Sequence, residues 1–272
     1  MTLVRGHMDQ GKLSAARWAV THPVQARSLV RWLRGLPRTM VAPSDDRAGA
    51  VLRKRFAGMG LLRTGRHAQA ALVLPPTAPQ YWVGQKRKVF RNKMAAARRG
   101  GLSWRVLDPA ETAAVVQAVC DGVGWDRDAR ADLEAWLEVP LEAALATAAF
   151  SPDGDVLAVC LAVASGGVAQ IRWAMSVSKG PARWAAFAAL VEQAYARRIP
   201  AILVGPMIGK ASEDEYFQRR VGFQPSNIAV APDPSPSPGF AVVPVARRLA
   251  RDRGGTDNRV DRRLRRSASA VR

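Results

Sequence analysis

The chain is poor in acid, in sulfur and in histidine: 22 Asp+Glu stand against 41 Lys+Arg among 272 residues, with two cysteines and three histidines. The shortage of acid leaves a formal charge of +19, which points to an anionic partner. Cys120 and Cys160 lie far apart in two apolar runs, which excludes a disulfide framework and a cysteine metal cluster and makes a reducing compartment the default. His7, His22 and His67 are scattered through the first quarter with no serine or cysteine partner motif, so a nucleophile triad has no support. Long apolar runs are missing too. The longest, Val156–Ala164, has nine residues, against the roughly 18 that a membrane-spanning helix needs, and the N-terminus carries no signal-type apolar block. The expectation is a soluble cytoplasmic protein. Hydrophobic residues still make up 48% of the chain, enough for one or two cored domains, and this excludes collagen-like and wholly disordered chains.

The positive charge is concentrated in two places. Residues 246–272 hold ten arginines against three aspartates and few large apolar residues, so they cannot build a core and read as a basic disordered tail. Such a tail is either a solvated end or a nonspecific attractor of nucleic acid or acidic membrane surface. Gln80–Gly100 has seven cations and no acid. At about 100° per residue, Arg87, Arg91 and Arg98 fall on one stripe and Trp82, Val89, Phe90 and Ala97 on another, predicting one amphipathic helix with a basic outer face. Lys86 and Lys93 fall in the apolar sector, either as snorkelling stems or as ammonium groups aimed into a cleft for phosphate or carboxylate.

Beyond that helix, Leu102–Leu107 reads as a strand, and Asp108-Pro109-Ala110-Glu111 combines an N-cap, a first-turn proline and a capping glutamate. A helix to about Val119 and a second over Arg127–Leu137 follow. Ala146–Phe150, Val156–Ala164 and Val168–Ser178 are joined by turn signals, predicting an antiparallel meander. Ala182–Arg198 is an alanine-rich helix with Trp184, Phe187, Val191 and Tyr195 inward. Ala201–Gly205 is a buried strand, Ser212 and Glu215 cap a helix that stops at Gly222, and strands at Ser226–Ala231 and Phe240–Val245 close the series.

A weak internal repeat runs through this order: Leu36–Pro43 aligns with Ile199–Pro206, each after a helical stretch and each before a basic helix ending in Met59-Gly60-Leu61 or Val221-Gly222-Phe223. The first copy adds strands at Leu61–Arg66 and Ala68–Leu74 but is incomplete, because too few residues precede Val24. The domain reading is therefore a partial repeat over 1–78, a basic connecting helix over 79–101, a complete unit over 102–245 and the tail over 246–272.

Strand, two helices, three-strand meander, helix, strand, helix, two strands is similar to the element order of the GNAT superfamily of acyltransferases, and the tandem arrangement resembles its Fem-type aminoacyltransferase group. The connecting stretch carries this second likeness in Gly60-Leu61, Ala70–Leu74, Lys86–Arg99 and Gly101-Leu102. The resemblance implies an α/β (α+β) fold with a mixed, largely antiparallel sheet flanked by helices, preceded by a partial copy of the same unit. It also implies an acyl or aminoacyl transfer from a phosphate-bearing carrier, acyl-CoA or aminoacyl-tRNA, to the amine of a small molecule or cell-wall precursor, without a metal. In such a fold the carrier phosphates would lie at Ser178, Lys179, Gly180, Ala182 and Arg183, where a helix N-terminus favours anions; the match to the family's glycine-rich pattern is poor, with Pro181 removing a donor. Phe217–Phe223 resembles the family's helix end that carries a tyrosine general acid, and that position is Gln218 here, with Tyr216 two residues earlier. Glu213 is the candidate base. The competing reading is a degenerate fold that binds nucleic acid or another polyanion through Lys86, Arg87, Arg91, Lys93 and Arg98 and the tail, with peripheral membrane contact as a further use of the same charge.

Overall fold

Asp108 and Glu111 show how closely local chemistry dictates local structure: the Glu111 carboxylate accepts the Asp108 backbone N–H at 2.8 Å, and Thr112 N–H bonds the Asp108 carbonyl, so the capping box starts a helix where the spacing requires one. The structure is a computed structural model and describes residues 20–57, 68–123, 139–140, 142–177, 180–206 and 212–231. Its elements are α1 (Pro23–Gly35), β1 (Arg38–Val41), α2 (Arg47–Ala57), β2 (Gln69–Val73), α3 (Ala78–Trp82), a single 3-10 turn (Gln85–Arg87), α4 (Lys88–Arg99), β3 (Ser103–Val106) and α5 (Pro109–Val123). There follow β4 (Ala144–Phe150), β5 (Val156–Ser165), β6 (Val168–Ser176), α6 (Ala182–Ala196), β7 (Ala201–Pro206), α7 (Ser212–Val221) and β8 (Gln224–Val230). The elements predicted at Leu61–Arg66, Arg127–Leu137 and Phe240–Val245, and the tail, lie outside the described residues. Among those described, no helix is long and apolar enough to cross a membrane.

The eight strands form one sheet in the order β1-β8-β2-β7-β6-β5-β4-β3. β4, β5 and β6 are the antiparallel meander that the turns predict, and β3 extends it at one edge. The pairs β6–β7 and β1–β8 are parallel. β2, from the leading part of the chain, lies between β7 and β8 and is antiparallel to both. Strands from the first 78 residues thus share a sheet with those of 102–245.

Two cores cover the two faces. On one, α4, α6 and α7 pack through aromatic rings: Phe90 lies 4.9 Å from Trp82, 5.8 Å from Trp184 and 6.0 Å from Phe187 between ring centroids. On the other, Leu52 and Phe56 of α2 and Val116, Val119 and Cys120 of α5 pack on Leu161, Val163 and Leu203. Helix α6 is buried almost all round, with ten of its fifteen residues inside, because its alanines let the sheet and α4 approach together. Trp184, Phe187 and Val191 are inward as predicted, whereas Tyr195 is half-buried and donates its hydroxyl to the Pro75 carbonyl at 3.1 Å.

The predicted continuous helix over Gln80–Gly100 is corrected. Gly84, at φ +89, breaks it into α3, the 3-10 turn and α4, because that left-handed backbone cannot continue an α-helix. The Arg91 guanidinium donates to the Trp82 and Gly84 carbonyls at 2.6 and 2.9 Å and so satisfies the broken helix end.

The loop after β1 is locked to the β5–β6 turn. Asp46 accepts the Gly49 N–H that starts α2 and also the Ser165 hydroxyl at 3.0 Å, while Ser44 N–H donates to the same hydroxyl at 3.0 Å. Gly166 sits so close that a Cβ there would fall 1.8 Å from the Ala42 carbonyl oxygen. Gly166→Ala should therefore lower the urea midpoint by an amount worth more than about 1 kcal/mol; an unchanged midpoint would show that the loop does not seat on this turn. A second prediction concerns acid. Arg105 grips both carboxylate oxygens of Glu111 and, with the Asp108 N–H, lowers its pKa to about 2. A carboxylate depressed in the folded state stabilises it fully above its ordinary pKa of about 4.3 and loses that contribution as pH falls towards 2. Glu111→Gln should flatten the acid limb of the stability curve in that window and leave the two curves parallel below it.

Candidate functional site

The sheet opens between β6 and β7. These parallel strands pair through only three rows, Val168/Ala201, Ala169/Ile202 and Gln170/Leu203, although β6 runs on to Ser176 and β7 to Pro206. Two causes are visible. β6 carries a register shift opposite Leu161/Ala162, which turns its second half, and β7 is held along its whole length by β2 on the far side. Beyond Gln170, β6 is therefore no longer paired with β7.

Polar groups without partners collect at this end of the sheet. Gln170 is fully buried, and neither its Oε1 nor its Nε2 is hydrogen-bonded. Its cross-strand neighbours Val163 and Leu203 place it on the α2/α5 face. Trp173 shares that face through Leu161 and leaves its indole Nε1 unpaired, and Gln69 of β2, opposite Pro206 and Ser226, leaves Oε1 unpaired. On the side of the sheet covered by α6 and α7, Gln218 is 4% exposed with an unpaired Oε1. Buried polar groups of native proteins are paired almost without exception, so these four call for partners that the described residues do not supply. Gln170 and Gln69 escape the motif reading. Their only signal is an amide inside an otherwise apolar strand.

The helices around the opening are pinned together. Arg183 of α6 donates to Asp214 of α7 at 2.6 Å and lies 4.1 Å from the centroid of the Phe217 ring. The Arg183 guanidinium, placed by the resemblance among the phosphate ligands, is thus committed to Asp214. Of the other residues in that group, Gly180 is half-buried and Ala182 is buried, while Ser178 and Lys179 lie outside the described residues. The N-cap residue of α6, Pro181, makes no side-chain cap.

The candidate catalytic residues are not brought together. Gln218 is inside, whereas Tyr216 is 47% exposed beneath the Arg220 guanidinium, and Glu213 is exposed in the first turn of α7. Burial pushes the Cys160 thiol up to about 12, which makes it a core group rather than a nucleophile. The basic candidates are also dispersed. Arg87 turns inward over the Tyr81 ring, Arg91 caps α3, Arg98 lies over Trp104 at 5.6 Å, Lys93 is half-buried and Lys86 is exposed.

No family model and no curated protein matches the chain. Among solved structures it is similar to L-PGS from Bacillus licheniformis (16% identity, TM-score 0.42, 58% of this chain and 56% of that one). It is also similar to a conserved protein of unknown function from Bacteroides thetaiotaomicron (10%, TM-score 0.46, 58% and 56%) and to a GCN5-related N-acetyltransferase from Kribbella flavida (17%, TM-score 0.36, 58% and 54%). The match spans just over half the length of each, and at these scores it carries no argument about chemistry. The topology speaks for itself: a strand and helix, a three-strand antiparallel meander, a crossover helix to a parallel strand that splays from the last meander strand, then a helix and a strand. The fold is GNAT-like.

Proposed function

We propose that this chain transfers an acyl group, acetyl or aminoacyl, from a phosphate-bearing carrier to an amine, with coenzyme A as the carrier. The observation that supports this reading is the opening between β6 and β7, a three-row ladder beyond which the edge of β6 is no longer paired with β7, near buried amides and an indole N–H that have no partner among the described residues. An extended, amide-containing arm suits such an edge, because its N–H and C=O groups add to the strand as another strand would. The N-terminus of α6 favours an anion through its dipole; Ala182 and Arg183 offer main-chain N–H groups, their side chains being buried and ion-paired respectively. Bound there, an acyl-CoA supplies an activated thioester carbonyl.

The residues of the chain bind and orient. The Arg183–Asp214 pair and the Phe217 ring hold α7 against α6, and Gln218 is buried on the same helix. Gln218 can hydrogen-bond a polar group but cannot protonate one as an acid does, so in this reading the rate comes mainly from positioning. Glu213 remains at the surface as a dipole-compensating acid unless an incoming amine meets it.

Thermal unfolding of the full chain at fixed ionic strength tests this. A ligand that binds only the folded state at about 100 times its Kd stabilises by about 2.7 kcal/mol, or a rise of several degrees for a chain of this size. Acetyl-CoA should produce that rise while ATP, a control for bulk charge, should not. Trp173→Phe should reduce the rise while changing the unliganded midpoint little. No rise with acetyl-CoA or free coenzyme A at millimolar concentration would remove coenzyme A from the reading.

A further inference from the structure

The broken connecting helix creates a second feature, at the opposite end of α7 from the β6–β7 opening. α7 runs about 10 Å from Asp214, which meets Arg183, to Val221, which accepts the Tyr81 hydroxyl at 2.8 Å. Beside Tyr81 lies a pocket of about 210 Å³ whose walls include Pro75, Gln80, Gly84, Lys86 and Arg87. Its lining holds two cations and no carboxylate. Pro75 accepts the Tyr195 hydroxyl, and Leu74 N–H bonds the Pro200 carbonyl, which places the pocket at the N-terminal end of β7, away from the C-terminal ends where the sheet opens.

Arg87 is the informative residue. Its Nε is buried with no hydrogen-bond partner. Its guanidinium is held against Tyr81 and Gly222: the Cζ lies 4.9 Å from the Tyr81 centroid, and Gly222 leaves the space for it, since a Cβ there would fall 1.9 Å from Nη2. No ion pair with an acid is formed by Arg87 among the described residues. Burial raises the Tyr81 pKa, outweighing the opposing charge and hydrogen bonding of Arg87, so the phenol is neutral and supplies no counter-charge. Keeping a half-buried guanidinium without an acid is costly unless an anion completes it. Arg91 fixes the frame by bonding the Trp82 and Gly84 carbonyls, so the pocket is formed before any ligand arrives.

We infer that this pocket is a binding site for a phosphate group, read by the planar fork of Arg87 and the point charge of Lys86. A guanidinium fork beside an ammonium is the donor set that phosphate oxygens satisfy best, and the volume admits the group with a small substituent. The site is separate from the proposed acyl-transfer cleft and does not depend on that reading.

Titration of the full chain with inorganic phosphate, followed by calorimetry at fixed chloride, tests it; AMP is the second arm. Saturable phosphate binding is expected, weakened at least about tenfold by Lys86→Met and by Arg87→Met and unchanged by Arg99→Met, which removes a charge from the far end of the adjoining helix α4, outside the pocket. Tighter binding of AMP would assign a nucleotide phosphate, and equal binding would assign the phosphate group itself. Lys86 is exposed, so its variant retains the fold even where Arg87→Met does not. The proposal is overturned if binding does not saturate, if Arg99→Met weakens it equally, or if Lys86→Met binds as the parent does. Loss of the acetyl-CoA effect in Lys86→Met would overturn the separateness of the site, whereas absence of that effect in the parent chain leaves the phosphate result standing.

Discussion

The hydrogen bonding of β2 on both of its edges is the constraint on which the rest depends. Gln69–Val73 pairs with Ala201–Pro206 on one side and with Gln224–Ser226 on the other. A strand edge left open in the middle of a sheet would strand a row of N–H and C=O groups. By filling that place, a segment from the first part of the chain closes the outer edge of β7 and gives β8 its neighbour. It also determines where the sheet can part. β7 is committed to β2 over its full length and to β6 over three rows, so any divergence of β7 from a neighbour must fall between β6 and β7.

The aromatic core converts that sheet into a site. Phe90 of α4, Trp184 and Phe187 of α6, and Phe217 and Phe223 around α7 make a continuous chain of ring contacts, the shortest being 4.8 Å between Trp184 and Phe217. Each such pair contributes roughly 0.5–1.5 kcal/mol beyond the area it buries, and together they fix three helices to one face. The Arg183–Asp214 ion pair then sets how α6 and α7 begin, on either side of the opening. The half-exposed pair is a modest stabiliser. Its weight is in orientation.

The same packing divides the positive charge into different jobs. Read as a helical wheel, Arg87, Arg91 and Arg98 form one basic stripe. In the folded chain Arg91 closes the end of α3, Arg98 lies over an indole, and Arg87 is folded against Gly222 and Tyr81. A single left-handed glycine, Gly84, is responsible, because it interrupts the helix on which the stripe was counted. The high net charge therefore does not translate into one continuous basic face along this segment.

Hydrophobic periodicity and turn chemistry were enough to place the meander, the crossover helix Ala182–Ala196, the strand after it and the helix ending at Gly222, since these depend on residues close together in the chain. The capping box at Asp108–Glu111 was legible for the same reason. The seat of β2, the three-row ladder and the commitment of Arg183 to Asp214 were not, because each joins residues 31 to 157 positions apart and no local pattern encodes a partner at that distance. Gln170 and Gln69 illustrate the limit: an amide in an apolar strand is visible as an exception, but its lack of a partner exists only once the neighbouring strands have closed around it. Local sequence determined which elements form, through side-chain periodicity and caps. Tertiary structure alone decided which polar groups are left unsatisfied, because satisfaction is a property of the assembled neighbourhood.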